Sequence, residues 1–188
     1  DALSIDVSAS VRCLDWTAEA IAKVYGEIAP TPQHELGLIT REPLGIIAAI
    51  VPWNFPLLMA TWKFAPALAA GNSVILKPSE KSPLSAIRIA ALALEAGIPA
   101  GVFNVLPGFG KGAGEPLALH MDVDGLVFTG STGVGKHLLQ CAGRSNMKRA
   151  YMECGGKSPN LVFADAPNLK EAAEAAALGI FFNQGEVC

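Results

Sequence analysis

Three side chains, far apart along the sequence, have the chemistry needed to act together on a carbonyl carbon. Cys188 offers a thiol nucleophile, Glu153 a carboxylate base, and Asn54 a side-chain amide that can donate to an oxyanion. Covalent catalysis at a carbonyl uses these three kinds of group, because the nucleophile needs a base and the developing negative charge needs donors. The fold must therefore bring positions 54, 153 and 188 to one place.

This chemistry competes with simpler interpretations of the same three residues. A cysteine is most often an inert buried side chain, a glutamate at a strand end is usually solvated, and an asparagine before a helix is usually an N-cap. The turn-forming run 183–185 favours an exposed thiol at Cys188. The Gly155-Gly156 pair allows a sharp backbone turn that points Glu153 into a cleft.

Composition excludes several classes of protein. The chain has 188 residues, 51% of them hydrophobic, so it can bury a sizeable core. A net charge of −3 argues against a nucleic-acid partner or a polybasic membrane surface. No apolar run is long enough for a membrane span, and the first ten residues lack the features of a signal peptide, so we expect a cytoplasmic protein. Its four cysteines are widely spaced, which predicts neither a metal site nor a disulfide framework.

The hydrophobic pattern predicts strands that alternate with helices. Apolar runs predict strands at 46–51, 73–76, 102–106, 125–129, 151–153 and 161–163, with an exposed strand at 36–43. Helical periodicity predicts helices at 2–26, 57–70, 84–96, 134–142 and 169–178, and the Gly-rich run 108–114 is interpreted as a flexible loop. Strands alternating with helices predict an α/β fold built on a doubly wound parallel sheet.

Three motifs give the sequence a family resemblance. A Phe-x-Asn-x-Gly-x-x-Cys run ends at Cys188, a Glu-x-Gly-Gly-Lys run begins at Glu153, and Pro-Trp-Asn-Phe-Pro surrounds Asn54. With these runs the sequence resembles the aldehyde dehydrogenase superfamily over nearly its whole length. The chain stops where that family keeps its nucleophile, so we expect an internal piece of a longer enzyme.

The resemblance implies a role for each catalytic candidate. Cys188 would add to the aldehyde carbon to give a thiohemiacetal, hydride would leave to a nicotinamide, and water would hydrolyse the thioester that remains. Glu153 would be the general base for that water, and Asn54 would donate to the oxyanion. Lys63, otherwise a surface lysine, would assist in proton relay near the base.

Two further runs are typical of cofactor binding in this family. Lys77-Pro78-Ser79-Glu80 follows a predicted strand, at the carboxyl end where open α/β sheets bind ligands. The Gly-rich run 128–135 lies between a strand and a helix, a setting that suits a pyrophosphate but is also common in simple turns. A carboxylate at the ribose favours NAD, with NADP as the alternative. The resemblance implies cofactor contacts at Trp53, Lys77, Ser79, Glu80, Gly110, Gly130, Ser131, Val134 and Gly155.

The substrate candidates follow Asn54 at helical spacing. Phe55, Met59 and Trp62 would on their own be interpreted as a core-facing stripe. The resemblance implies instead an aldehyde tunnel, with Phe182 opposite and Val187 beside the thiol. The similarity is strongest to bacterial enzymes that oxidise ω-amino or ω-guanidino aldehydes of polyamine breakdown. A general aliphatic or betaine-type aldehyde dehydrogenase is the alternative.

The resemblance also implies a domain organisation. We expect an N-terminal helix at 1–32 packed on the cofactor domain, and an oligomerisation-arm strand at 33–43 that serves a homodimer or homotetramer. A Rossmann-like dinucleotide-binding domain would follow at 44–153, and the start of a second α/β catalytic domain at 154–188.

Two rival classes of function remain open. One is a non-catalytic binding or structural protein on the same scaffold, since fold does not imply function. The other is a thiol hydrolase, which would need a histidine partnered to the cysteine. The histidines at positions 34, 120 and 137 fit no such pairing.

Overall fold

The computed structural model describes residues 2–187, so Asp1 and Cys188 lie outside the described part of the chain. The strands are β1 (Glu27–Ala29), β2 (Gly37–Ile39), β3 (Ile46–Ile50), β4 (Ser73–Lys77), β5 (Phe103–Val105), β6 (Gly125–Gly130) and β7 (Arg149–Cys154). The helices are α1 (Ser8–Ala20), α2 (Pro56–Ala69), α3 (Leu84–Glu95), α4 (Glu115–Leu119), α5 (Thr132–Arg144) and α6 (Leu169–Phe181).

A five-stranded parallel sheet in the order β5-β4-β3-β6-β7 forms the centre of the fold. The chain runs outward from β3 to β4 and β5, then returns to place β6 on the other side of β3. Ile47 of β3 pairs with Val74 of β4 on one side and Gly125 of β6 on the other. This reversal confirms the predicted doubly wound sheet, and it creates a topological switch point between β3 and β6.

Two hydrophobic cores cover the two faces of the sheet. Alternate residues of β3 serve opposite faces, because successive side chains of a strand point to opposite sides. Ile47 and Ala49 pack in the core beneath α2 and α3, while Ala48 and Ile50 pack in the core beneath α4 and α5. Burial on both faces explains why this strand is an unbroken apolar run.

A carboxylate from the segment just before α1 caps the amino end of α2. Helix α1 packs on α2, and Asp6, just before α1, accepts hydrogen bonds from the backbone N–H groups of Leu57 (3.0 Å) and Leu58 (2.8 Å). The N-cap residue of α2, Phe55, makes no side-chain capping bond of its own. Asp6 therefore acts as a cap supplied from a distant part of the sequence.

The other end of α2 follows its sequence signal. Gly71 lies just past the helix with φ +82°, a left-handed conformation that glycine adopts at low cost. A Cβ at this position would lie 2.9 Å from Cγ of Pro43. Both the backbone angle and the close neighbour therefore favour glycine here.

Two sequence predictions about secondary structure are wrong, and a third is incomplete. The first helix ends in a short 3₁₀ turn at Lys23 rather than at 26, because the chain then enters β1, which pairs antiparallel with β2. The segment 161–163 forms no strand: its residues are exposed, and none of the strands described between residues 2 and 187 pairs with it. The loop predicted at 108–114 contains a π-helical turn, Gly110–Gly114, which leads into α4.

None of the helices described between residues 2 and 187 is long and apolar enough to cross a membrane.

Candidate active site and cofactor cavity

A cavity of about 590 Å³ opens at the carboxyl ends of β3, β4 and β6, next to the switch point of the sheet. Open α/β sheets bind ligands at this place, and the volume is in the range of small-molecule sites. The cavity is lined by residues from these strand ends, from the Gly-rich turn before α5 and from α4: Ile50, Val51, Pro52, Trp53, Lys77, Ser79, Glu80, Gly110, Lys111, Gly114, Glu115, Phe128, Thr129, Gly130, Ser131, Val134, His137 and Leu138.

The cavity brings together most of the residues that the sequence analysis proposed for a cofactor. Those on its wall are Trp53, Lys77, Ser79, Glu80, Gly110, Gly130, Ser131 and Val134. Gly155 is the exception: it lies just after β7, where its carbonyl accepts a hydrogen bond from the Thr132 hydroxyl at 3.4 Å. The individual contacts of these residues with a cofactor remain predictions.

The Lys77–Glu80 pair carries opposite charges on the cavity wall. Lys77 is buried at the end of β4, and its Nζ lies 3.4 Å from Oε2 of Glu80, whose side chain is 42% exposed. The hydrogen bond from its own backbone N–H, together with the charges of Lys77 and Lys81, holds the pKa of Glu80 below its usual value. Glu80 is therefore an ionised acceptor that a ligand can reach.

The Gly-rich run forms the amino end of α5. Ser131 is the N-cap, and its hydroxyl accepts from the backbone N–H of Val134 at 3.4 Å. Gly135 lies against the sheet, where a Cβ would be 2.6 Å from Sγ of Cys154, so the helix packs this closely only with glycine. The positive end of the helix dipole thus lies beside the cavity, a setting that suits an anionic group.

Asn54 contacts the loop that leads into Cys188. Its Nδ2 donates to the backbone carbonyl of Glu186 at 2.6 Å, and Asn183 Nδ2 donates back to the Asn54 carbonyl at 3.0 Å. Asn183 and Gln184 both have positive φ, which makes the sharp turn that the sequence predicted before the thiol. Cys188 itself lies outside the described residues, but the structure brings Asn54 to the chain immediately before it.

Glu153, near the end of β7, acts electrostatically on Lys63, in the middle of α2. Glu153 lies opposite Thr129 near the carboxyl end of the sheet and is exposed. Lys63 is half-buried on α2; burial lowers the pKa of its ammonium group, and the negative charge of Glu153 partly opposes that shift. The carboxylate of Glu153 is thus close enough to affect the pKa of Lys63.

The predicted substrate residues divide into two groups. Phe55 and Phe182 stack with ring centroids 6.3 Å apart, Trp62 is 52% exposed, and Val187 is 38% exposed. Met59, in contrast, is buried in the hydrophobic core beneath α2. The structure therefore brings Phe55 to Phe182, while Met59 occupies the core position that its spacing also allowed.

Several cavity residues were missed in the sequence. Lys111, Glu115 and His137 all line the cavity. Glu115 lies on α4, a short helix directly after the Gly-rich run 108–114, and Pro116 in its first turn is a recognised start signal. His137 was considered only as a partner for a thiol nucleophile. Its place on α5, the helix that follows the Gly-rich turn, was not used to predict a cavity residue.

Comparison with known proteins agrees with this geometry. The sequence profile of the aldehyde dehydrogenase family matches residues 1–188. The NADP/NAD-dependent aldehyde dehydrogenase PuuC of Escherichia coli is 65% identical over 183 residues, which are 97% of this chain and 37% of that protein.

Solved structures give the same result. A γ-glutamyl-γ-aminobutyraldehyde dehydrogenase from Burkholderia cenocepacia has a TM-score of 0.97 at 63% identity, and an indole-3-acetaldehyde dehydrogenase in complex with NAD⁺ has 0.98 at 66%. Each comparison covers 100% of this chain and 38% of the other. The chain thus spans a little over a third of the length of these relatives. A profile match along every residue, with identities above 60%, shows that the chain belongs to the aldehyde dehydrogenase family.

Proposed function

We propose that the protein oxidises an aldehyde to a carboxylic acid with Cys188 as the nucleophile and NAD or NADP as the hydride acceptor. The observation that carries this proposal is the hydrogen bond from Asn54 to the Glu186 carbonyl, at 2.6 Å. It joins the oxyanion candidate to the segment that leads into the nucleophile candidate. A thiol hydrolase would also need a histidine partnered to its nucleophile, and His34, His120 and His137 fit no such pairing.

The Asn54 amide is suited to stabilise a developing oxyanion. When the thiolate of Cys188 adds to the carbonyl carbon of an aldehyde, the oxygen bonded to that carbon gains negative charge. An anionic oxygen is a stronger acceptor than a backbone carbonyl, so it would compete well with Glu186 for the amide protons. Asn183 donates to the backbone carbonyl of Asn54, so the Asn54 backbone stays in place while its side-chain amide changes acceptor.

Glu153 is suited to act as the base in the second half of the reaction. Glu153 is exposed, so water can reach its carboxylate. It lies near the carboxyl end of β7, at the same edge of the sheet as the cavity residues that follow β4 and β6. The lowered pKa of Lys63 makes that ammonium a readier proton donor than an ordinary lysine. Together these groups could take a proton from the water that hydrolyses a Cys188 thioester and pass it on.

The cavity fits a nicotinamide dinucleotide in the chemistry of its walls. Such a cofactor, when bound, supplies the acceptor for the hydride that leaves the substrate carbon. The ionised Glu80 and the ammonium of Lys77 can accept from and donate to ribose hydroxyls, while the amino end of α5 suits the diphosphate. The carboxylate of Glu80 would repel a 2′-phosphate, which favours NAD over NADP.

An ω-amino or ω-guanidino aldehyde is the proposed substrate class. The relative from Burkholderia cenocepacia is named for an aminobutyraldehyde derivative. Trp62 offers a half-exposed indole face that can attract a cation, and the Phe55–Phe182 pair offers apolar surface for methylene groups. An indolyl aldehyde is the second candidate, because the same aromatic pair suits a flat ring and one relative is an indole-3-acetaldehyde dehydrogenase.

The remaining expectations concern assembly and location. A homo-oligomer is supported by the exposed apolar side chains of the β1–β2 hairpin, Ile28 at 73% and Leu38 at 64%, in and next to the predicted arm at 33–43. A cytoplasmic location is supported by the free thiols of Cys13, Cys141 and Cys154.

The test uses the intact protein and follows NADH formation by absorbance. Aminobutyraldehyde, guanidinobutyraldehyde, hexanal, indole-3-acetaldehyde and acetaldehyde are compared by kcat/KM. We expect the cationic aldehydes to exceed acetaldehyde by at least tenfold, since each added buried methylene is worth about 0.8 kcal/mol. If hexanal exceeds both cationic aldehydes, or indole-3-acetaldehyde is the best of the five, the proposed substrate class is wrong. If no aldehyde gives NADH or NADPH, the proposed activity is wrong.

A further inference from the structure

Three potential metal ligands meet at the edge of the cofactor cavity, away from Asn54 and Glu153. They are Glu115 on α4 and His137 and Cys141 on α5, and their ligand atoms all lie within 4.8 Å of one another. Nε2 of His137 is the central atom, 3.6 Å from Oε1 of Glu115 and 3.6 Å from Sγ of Cys141.

These separations are close to those of a tetrahedral zinc site. With a Zn–S bond of about 2.3 Å and Zn–N and Zn–O bonds of about 2.0 Å, sulfur and nitrogen are about 3.5 Å apart, and nitrogen and oxygen about 3.3 Å. The observed His137–Cys141 distance of 3.6 Å needs almost no change. Only the Glu115 carboxylate has to move closer, and it stands at the end of a flexible side chain.

Local structure explains why the three residues converge. His137 and Cys141 are four residues apart on α5, so their side chains lie on one face of the helix. Helix α4 packs on α5 and brings Glu115 to that face. Glu115 and His137 line the cavity and are partly exposed, whereas Cys141 is fully buried behind them.

The charge around the sulfur sets the cost of binding a cation. Burial raises the pKa of the Cys141 thiol, and the negative charge of Glu115 adds to that shift, while the positive charges of Arg144 and Lys148 oppose it. A metal that binds this sulfur displaces the thiol proton.

We propose that Glu115, His137 and Cys141 form a binding site for a borderline-soft divalent cation of the Zn²⁺ class, with its remaining coordination position facing the cavity. A carboxylate, an imidazole and a thiolate are ligands that Zn²⁺ accepts together. Because two of the three ligands are on the cavity wall, an ion held there excludes a dinucleotide from that end of the cavity. The site itself does not depend on the proposed function; only this competition rests on it.

Direct metal binding is tested with Co²⁺, which replaces Zn²⁺ in tetrahedral sites and gives a thiolate-to-metal absorption band. The intact protein carries Cys188→Ala, so that the nucleophile cannot hold the metal. We expect a saturable band at one equivalent of Co²⁺ that Zn²⁺ displaces. Cys141→Ser should remove it, and His137→Gln should weaken Co²⁺ affinity by at least the roughly 10–100-fold that loss of an outer-shell partner typically costs.

Cys154→Ser is the matched control. Cys154 is a partly buried thiol at the end of β7, and it lies against Gly135 near the amino end of α5. That variant should keep the band. The proposal is overturned if no thiolate band forms, if the band survives Cys141→Ser, or if His137→Gln binds Co²⁺ as tightly as its parent. His137 is exposed, so this last variant remains informative even if Cys141→Ser fails to fold.

Competition between Zn²⁺ and NAD is measured separately. The protein is titrated with NAD, with and without Zn²⁺, and binding is followed by quenching of protein fluorescence. Zn²⁺ should raise the apparent Kd for NAD in the parent and leave it unchanged in His137→Gln. If Zn²⁺ binds but the NAD affinity is unaltered, exclusion of the dinucleotide is wrong. If NAD does not bind at all, the proposed function fails while the spectroscopic result on the metal site stands.

Discussion

The side-chain amide of Asn54 donates to the backbone carbonyl of Glu186 at 2.6 Å, across 132 positions of sequence. Asn183 returns a hydrogen bond of 3.0 Å to the Asn54 carbonyl, so two bonds fasten the loop after β3 to the turn before Cys188. The segment 183–186 is therefore held against the loop that carries Asn54. These two hydrogen bonds are the observation from which we propose that Asn54 and Cys188 act in one reaction.

Asn54→Ala should lower kcat/KM for the aldehyde by about 10²–10³, because one oxyanion donor is lost. The measurement is the steady-state rate of NADH formation in the intact protein. Asn104→Ala is the control: Asn104 is an exposed asparagine whose amide also donates to a backbone carbonyl, that of Gly101 at 2.7 Å. Equal rates in the two variants would show that Asn54 has no part in stabilising the oxyanion.

Glu153→Gln should lower the pKa of Lys63 further. The carboxylate of Glu153 raises that pKa against the larger effect of burial, so removing the charge leaves burial unopposed. A larger fraction of Lys63 would then be neutral at any given pH. The measurement is an NMR titration of labelled lysine ε-groups, with Lys63→Arg to assign the signal.

Glu171→Gln, which removes an exposed carboxylate from the first turn of α6, should leave the Lys63 titration unchanged. A Lys63 pKa that stays constant or rises in Glu153→Gln would mean that the two groups do not interact.

Glu80→Gln should narrow the preference for NAD over NADP. Glu80 is ionised and its side chain is 42% exposed on the cavity wall, and interactions between exposed charges are worth about 0.2–1 kcal/mol. The ratio of kcat/KM for the two cofactors should therefore fall by a factor of roughly 1.4 to 5. Glu95→Gln, an exposed glutamate on α3 paired with Arg88, should leave the ratio unaltered. A wild type that uses both cofactors equally would remove the role assigned to Glu80.

Asp6→Ala should destabilise the protein by about 0.5–2 kcal/mol, the usual cost of losing a helix cap. The buried carboxylate accepts from Leu57 and Leu58 at the amino end of α2, where Phe55 makes no capping bond. The measurement is the free energy of unfolding from urea denaturation of the intact protein. Asp15→Ala, an exposed aspartate of α1, is the control, and equal stabilities would contradict the capping role.

The central sheet could be predicted from the sequence because each of its strands carries a local signal. Residues 46–50 form an unbroken apolar run, and that pattern is typical of a strand whose two faces are both buried. Gly71 marks the end of α2 for an equally local reason, its positive φ. The cavity followed from these elements, since it lies where parallel strands end.

The features that could not be predicted depend on long-range partners. Strand β1 depends on the pairing of Ile28 with Leu38, and its three residues are too few to show the alternation that predicts a strand. The segment 161–163 has strand composition but no neighbouring strand among the described residues. Asp6 caps a helix that begins fifty residues later, and Glu115 meets His137 only because α4 packs on α5.

The most direct test of the account is to locate the acyl group during turnover. The Glu153→Gln variant should hydrolyse the thioester slowly, because it lacks the base that activates water. Mixing this variant with NAD and the best aldehyde should therefore give a burst of NADH followed by slow turnover. Rapid acid quenching, proteolysis and mass spectrometry should find the acyl mass on the peptide that contains Cys188, in proportion to the burst. An equivalent acyl mass on Cys13, Cys141 or Cys154, or retained turnover in Cys188→Ala, would contradict the assignment of Cys188 as the nucleophile.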